Sequence, residues 1–230
     1  MFKKLICLYC GAVFEAAYSW ETLFVFDQPL LCQECYGKME RIEGACCRIC
    51  SRVMPEQGET LCHDCERWEQ DNRWKGTLSG NTSLYAYNDF MKELIALYKY
   101  RGDVALANLF ADDLRKQLKK WKGALICPVP LSEERMQERG FNQSEELIKA
   151  AGHSPVLLLN RSHSEKQSKK SRRQRIELPQ IFTCRHNSAI TSKHIVLVDD
   201  IYTTGSTLRH AAELLIQAGA SSVHSLTVAR

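Results

Sequence analysis

Ile195-Val196-Leu197-Val198-Asp199-Asp200-Ile201-Tyr202-Thr203-Thr204-Gly205-Ser206-Thr207 decides the reading of this chain of 230 residues. Four consecutive apolar residues run straight into two acids. A turn rich in hydroxyls and glycine follows, and then a helical pattern. The apolar run suits a central parallel strand covered on both faces. Ligands of open α/β sheets gather at the carboxyl ends of such strands. Backbone N–H groups from Thr203 to Thr207 would open the next helix and cradle an anion, with Gly205 allowing close approach of the backbone. Asp199 and Asp200 are poor phosphate ligands but good acceptors for sugar hydroxyls. The stretch therefore predicts a sugar-phosphate site, with the acids on ribose and the loop residues Thr203, Thr204, Gly205, Ser206 and Thr207 on its 5′-phosphate.

On either side of this stretch, strand and helix patterns alternate. Leu84-Tyr85-Ala86-Tyr87 reads as a strand, and Asn88 or Asp89 caps a helix carrying Met91, Leu94, Ile95 and Tyr98 at helical spacing. Arg101-Gly102-Asp103 makes a break, and a second amphipathic helix runs to about Lys120. Ala124 to Val129 is the next strand, 142–151 is helical, Pro155 to Leu159 is extended, and Ser222 to Ala229 is the last strand. This order implies an α/β fold with a mostly parallel sheet flanked by helices. Residues 66–80 are polar and read as a connector, with Trp68 and Trp74 as anchors. The expected division is a small module over 1–70 and an α/β domain over 80–230.

Two basic motifs complete the second domain. Pro128-Val129-Pro130-Leu131 is followed by Arg135, Arg139, Gly140, Phe141, Asn142, Gln143 and Ser144, and the two arginines and Asn142 suit the oxygens of a diphosphate. Glu165 to Arg175 holds Lys166, Lys169, Lys170, Arg172 and Arg173; from 161 to 175 there are seven Lys or Arg and one acid. Such a run repels itself unless an anion is present. It reads as a solvated loop, as a lid over pyrophosphate, or as a track for a nucleic-acid backbone. It has no aromatic residue, so it lacks the stacking platforms of single-strand binders.

Of eleven cysteines, nine lie before residue 66. Four C-x-x-C pairs stand out: Cys7/Cys10, Cys32/Cys35, Cys47/Cys50 and Cys62/Cys65. Each pair offers two thiolates to one metal, and two pairs complete a closed, structural Cys₄ zinc site. Sequential pairing gives two zinc ions; spacing alone leaves an interleaved pairing open, and Cys46 could stand in for Cys47. So small a module buries too little to fold alone, so zinc supplies much of its folding free energy. The apolar residues Phe14, Tyr18, Trp20, Leu23, Phe24 and Phe26 between the first two pairs read mostly as packing. The ribbons could also form a docking surface for protein or nucleic acid.

A net charge of +4 is too small to prove a polyanionic partner. No stretch approaches the ~20 apolar residues of a membrane span, and Cys7, Tyr9, Cys10 and Gly11 cut short the signal-like start. The expectation is a soluble, cytoplasmic protein whose cysteines serve metal rather than disulfides.

The Asp199–Thr207 stretch resembles the phosphoribosyl-pyrophosphate (PRPP) motif of type I phosphoribosyltransferases. Together with the cysteine pairs, Lys99-Tyr100-x-Gly102-Asp103, Pro128-x-Pro130-Leu131 and Arg139-Gly140-Phe141-Asn142-Gln143, it makes essentially the whole chain similar to the ComF family. A departure is Glu177-Leu178, where the family commonly has an Asn-containing segment before its Phe, here Phe182. The resemblance implies a phosphoribosyltransferase-like sheet behind a double zinc-ribbon module. It also implies a role in natural transformation during uptake of single-stranded DNA, alongside a helicase-like ATPase and with recruitment to the membrane-associated uptake machinery. Lys99, Arg135, Arg139 and the basic run fall to pyrophosphate or DNA, and Mg²⁺ accompanies PRPP. Three functions compete: a competence factor that retains PRPP binding, an active nucleobase phosphoribosyltransferase, and a PRPP-sensing regulator. Catalysis would use Asp200, supported by Asp199, to steady the ribose. The transferase reading lacks a hood for the base, since the sequence ends at Arg230 after its last strand; the zinc module would have to replace it.

Overall fold

In a computed structural model, the structure describes residues 2–17, 29–55, 60–100, 104–161, 182–185 and 188–230. At its centre lies a four-stranded sheet whose strands, in spatial order, are Gly80–Tyr85 (β3), Ser222–Ala229 (β8), His194–Ile201 (β7) and Leu125–Pro128 (β4), with every pairing parallel. The apolar run of β7 is fully buried and splits by parity. Val196 and Val198 join one hydrophobic cluster, and Ile195 and Leu197 join the other. Alternate side chains of a strand point to opposite faces, so β7 is covered on both, as its composition predicts.

The first cluster is closed by α3 (Asp89–Tyr100), a 3₁₀ segment at Val104–Phe110, α4 (Ala111–Leu118) and α6 (Gln143–Ala150). The second is closed by α7 (Ser206–Gln217) through Leu208, Ala211, Ala212 and Leu215. A short helix, α5 (Glu133–Arg139), follows β4. The strands β5 (Leu159–Arg161) and β6 (Phe182–Cys184) pair antiparallel as a separate two-stranded sheet.

The cysteine pairs fold into two tight knuckled units. The first carries the antiparallel hairpin β1 (Phe2–Ile6) and β2 (Val13–Ala17), then α1 (Gln33–Gly37); the second carries α2 (His63–Gln70). Each unit packs into a different cluster of the sheet domain. Cys7, Leu31, Cys35 and Met39 join the first, and Cys47, Ile49, Cys50, Cys62 and Cys65 join the second. Tyr9 packs against Phe90, with ring centroids 4.6 Å apart and the planes tilted, and its hydroxyl donates to Glu93 on α3.

Three expectations need correction. The first strand is Gly80–Tyr85, not Leu84–Tyr87. Asn81 and Ser83 disguise it, but both are buried, and their polar groups pair with each other, Ser225 and Thr227. Residues 66–80 are more than a connector, because α2 runs through to Gln70; Trp68 and Trp74 are buried, as the anchor reading expects. The helix predicted to reach Lys120 begins as the 3₁₀ segment and ends at Leu118. Residues 101–103, Tyr18, Trp20, Leu23, Phe24, Phe26 and the segment 177–178 lie outside the described residues.

Candidate functional site

The two acids end β7 at the carboxyl edge of the sheet. Asp200 pairs with Lys99 of α3 at 2.7 Å, with both side chains largely buried. Asp199 accepts from the Ser144 hydroxyl at 3.2 Å and from the Asp200 amide at 2.9 Å. Burial, then the neighbouring Asp200 charge, pushes its carboxyl up to about 7. Lys99, grouped in the sequence with the phosphate-binding cations, is thus the counter-ion of Asp200.

Beyond the acids, Gly205 takes a left-handed φ of 78° and caps α7. An added Cβ there would lie 2.1 Å from the Tyr202 hydroxyl and 2.8 Å from an Arg209 nitrogen. The glycine is therefore required by the packing behind the loop as well as by its backbone angle. Thr203 is exposed and Thr204 and Thr207 are half-buried, while Ser206 is buried. The Ser206 amide donates to the Thr204 hydroxyl at 3.4 Å, which closes the loop onto the positive end of a 12-residue helix.

Arg135 sits exposed on α5, and Arg139 donates to Gln143 at 2.8 Å. The structure adds Arg161, at the end of β5, which sequence reasoning counted within the basic run but did not single out. Its guanidinium pKa is lowered, first by burial, then by the positive charge of Arg135 and also by that of Arg139; the nearby Asp199 acts the other way. Arg161 thus lies within electrostatic reach of Arg135, Arg139 and Asp199. Asn142, matched in the sequence to a diphosphate, has its amide engaged elsewhere. Its nitrogen donates to the Val129 carbonyl at 3.1 Å, and its oxygen caps α6 through the Ser144 amide at 3.0 Å. Lys166, Lys169, Lys170, Arg172 and Arg173 lie outside the described residues.

A cleft of about 420 Å³ opens on the other side of the loop. Ile201, Tyr202 and Thr203 form one wall, with Tyr87, Val53 and Arg230 among the others. Arg52 and Val53 follow the third cysteine pair, so the cysteine module contributes to the wall of this cleft.

The sulfurs of Cys7, Cys10, Cys32 and Cys35 form one cluster and those of Cys47, Cys50, Cys62 and Cys65 another, each set within 4.8 Å. This is the sequential pairing. Cys10 and Cys32 sulfurs lie 3.9 Å apart, and those of Cys50 and Cys62 3.5 Å. A tetrahedron of Zn–S bonds of ~2.3 Å has edges of roughly 3.8 Å, so both clusters fit zinc. The Cys62 amide donates to the Cys47 sulfur at 3.3 Å, as a bound thiolate needs. Cys46 instead forms a β-bridge with Val53 and stays outside the cluster. Cys127 and Cys184 lie in β4 and β6, apart from both clusters. No helix among the described residues is long and apolar enough to cross a membrane.

Residues 137–230 match the family described as phosphoribosyl transferase domain. Competence protein ComFC of Bacillus subtilis is 40% identical over 235 residues, covering 99% of this chain and 95% of the relative. Competence protein ComFC of Streptococcus pneumoniae is 35% identical, covering 97% and 99%. DNA utilization protein YhgH of Escherichia coli O157:H7 is 33% identical over 105 residues, covering 43% and 45%. With kinship at this identity from end to end, and with the cysteine clusters and parallel sheet in place, the chain belongs to the ComFC family of competence proteins.

Proposed function

We propose that this protein is a competence factor that supports uptake of single-stranded DNA in natural transformation. In this reading it carries a PRPP-type sugar-phosphate site, and it works beside a helicase-like ATPase on the cytoplasmic face of the uptake machinery. One observation supports the ligand assignment: the acids at the end of β7 lead into the start of α7, and Arg161 feels the charges of Asp199, Arg135 and Arg139. That charge pattern fits a ribose with phosphate at one end and diphosphate at the other. Asp199 and Asp200 accept the ribose hydroxyls, the amides from Thr203 to Thr207 receive the 5′-phosphate, and the arginines receive the pyrophosphate. Both carboxylates are already engaged, so Mg²⁺ would be held chiefly by the diphosphate oxygens of PRPP, where it neutralises their charge. Zinc in the two tetrads is structural, and the basic run from Lys166 to Arg173 tracks the DNA backbone.

Calorimetry with PRPP, ribose 5-phosphate and single-stranded DNA on one zinc-loaded sample tests this reading. Both sugar phosphates should bind the wild type, and the double variant Asp199→Ala, Asp200→Ala should lose them while keeping its fold. Unchanged affinity in the folded variant overturns the site.

The cleft beside Tyr87 and Tyr202 favours one second reading, pentosyl transfer to an acceptor seated there. Release of pyrophosphate from PRPP in the presence of nucleobases would select it.

A further inference from the structure

We propose that the second cysteine cluster, besides stabilising the fold, positions the phosphate loop, with Trp68 and Arg230 as the positioning residues. The inference rests on reading Thr203 to Thr207 as a sugar-phosphate site. Three consecutive loop carbonyls are held from behind. The Arg230 guanidinium donates to the carbonyls of Tyr202 at 3.3 Å and Thr203 at 2.9 Å. The Trp68 indole nitrogen donates to the carbonyl of Thr204 at 3.0 Å. Successive carbonyls fixed on one side leave the amides of the loop turned to the other, which is the condition for an anion cradle.

Both donors are anchored in the cluster. Arg230 also donates from Nε to the Cys50 sulfur at 3.1 Å. Trp68 lies three residues beyond Cys65 on α2, whose first turn follows Cys62. Such a spacing puts Cys65 and Trp68 on one helix face. A metal that fixes Cys62 and Cys65 therefore fixes the direction of the indole N–H. The same helix braces the start of α7. Trp68 lies 4.9 Å from the guanidinium of the fully buried Arg209, which donates to the Tyr202 hydroxyl at 2.8 Å and pairs with Glu69 at 3.6 Å. The metal site, α2 and the loop thus form one continuous hydrogen-bonded unit, so order in the cluster and order in the loop are energetically linked.

The test titrates ribose 5-phosphate into the zinc-loaded full chain by calorimetry, comparing wild type with Trp68→Phe and Arg230→Gln. Trp68→Phe keeps an aromatic ring under Arg209 while removing the indole donor. Each variant should keep its zinc by elemental analysis and bind ribose 5-phosphate roughly five- to tenfold more weakly, the effect of one net hydrogen bond. Equal affinity in both zinc-retaining variants overturns the positioning role and leaves the site assignment standing. Failure of the wild type to bind overturns the site assignment itself. Cobalt replacing zinc gives a readout that a merely structural role would not move. Saturation with ribose 5-phosphate should shift the sulfur-to-cobalt absorption, because Arg230 touches both the sulfur and the loop. If either variant loses zinc, this wild-type measurement decides, and an unmoved spectrum overturns the coupling.

Discussion

Asp199 has the site's most telling chemistry, because its raised pKa ties its ionisation to stability and, in the proposed site, to ligand binding. Its carboxyl is raised from 3.8 to about 7. Between those values the folded chain holds a proton that the unfolded chain has released. Stability from this group therefore falls as pH rises through that window, and the loss is complete above the folded value. Asp199→Asn cannot ionise, so its melting temperature should fall less than that of the wild type between pH 5 and pH 8. An equal fall in both would mean that the buried acid is not the titrating group. Ligand binding should run the opposite way. An ionised carboxylate is the better acceptor for ribose hydroxyls, so wild-type affinity for ribose 5-phosphate should rise with pH through the Asp199 transition. The phosphate completes most of its own second ionisation above pH ~6. A rise persisting in Asp199→Asn would therefore assign the dependence to the ligand instead of to the protein. Gly205→Ala should cost at least ~2 kcal/mol in chemical denaturation, because its Cβ would meet the Tyr202 hydroxyl at 2.1 Å with φ still positive.

At the scale of elements, the cysteine module covers an edge that the sheet could not leave bare. β3 is an outer strand, and an uncovered edge invites pairing with another chain. Here the Asn81 amide donates to the Ile49 carbonyl at 2.6 Å, and Ser51 Oγ bonds both the Asn81 carbonyl and the Ser83 amide. Farther along, Ala86 donates to Glu40 and Ile42 to Leu84. The second knuckle and its approach thus pair with β3 almost as a further strand. The sequential clusters predict two zinc ions per chain, and Cys47→Ser with Cys62→Ser should reduce elemental zinc to one; loss of both would point to interleaving. The basic run is the other element with a defined readout. Neutralising Lys169, Lys170, Arg172 and Arg173 removes four possible phosphate contacts. The slope of log affinity for single-stranded DNA against log salt should flatten by up to ~3 units, at roughly 0.7 per contact. An unaltered slope moves the DNA to the ribbons or to another face.

For the whole molecule, legibility in the sequence followed how local the signal was. The run from Ile195 to Thr207 declares strand, loop and helix within thirteen residues, and the cysteine spacing declares metal, because both depend on neighbours in the chain. β3 was misplaced because Asn81 and Ser83 become good buried residues only once Ser225 and Thr227 arrive from far along the sequence. Arg161 was passed over because its significance lies in Arg135, Arg139 and Asp199, which other elements bring to it. The relation between ribbons and sheet was equally hidden, and it has a consequence for stability. Among the described residues, the buried side chains of the two cysteine units belong to the clusters of the sheet domain. The first shares a hydrophobic cluster with α3, α4 and α6, and the second shares the opposite cluster with α7 and β7. Stripping the metal should therefore loosen both faces of the sheet instead of melting a separate module. Binding to the folded state alone stabilises it in proportion to log metal affinity, so chelation should shift the whole unfolding curve. In a zinc-loaded Trp121→Phe background, which removes the tryptophan packed on the sheet domain, far-ultraviolet circular dichroism and tryptophan fluorescence should report one coincident thermal transition, with Trp68 and Trp74 sensing the second unit and β-sheet and helix signals sensing the rest. Adding a strong chelator should lower that midpoint for both probes together. A fluorescence transition that moves alone, with the dichroism midpoint unchanged, would show that 1–70 unfolds as an independent unit from 80–230.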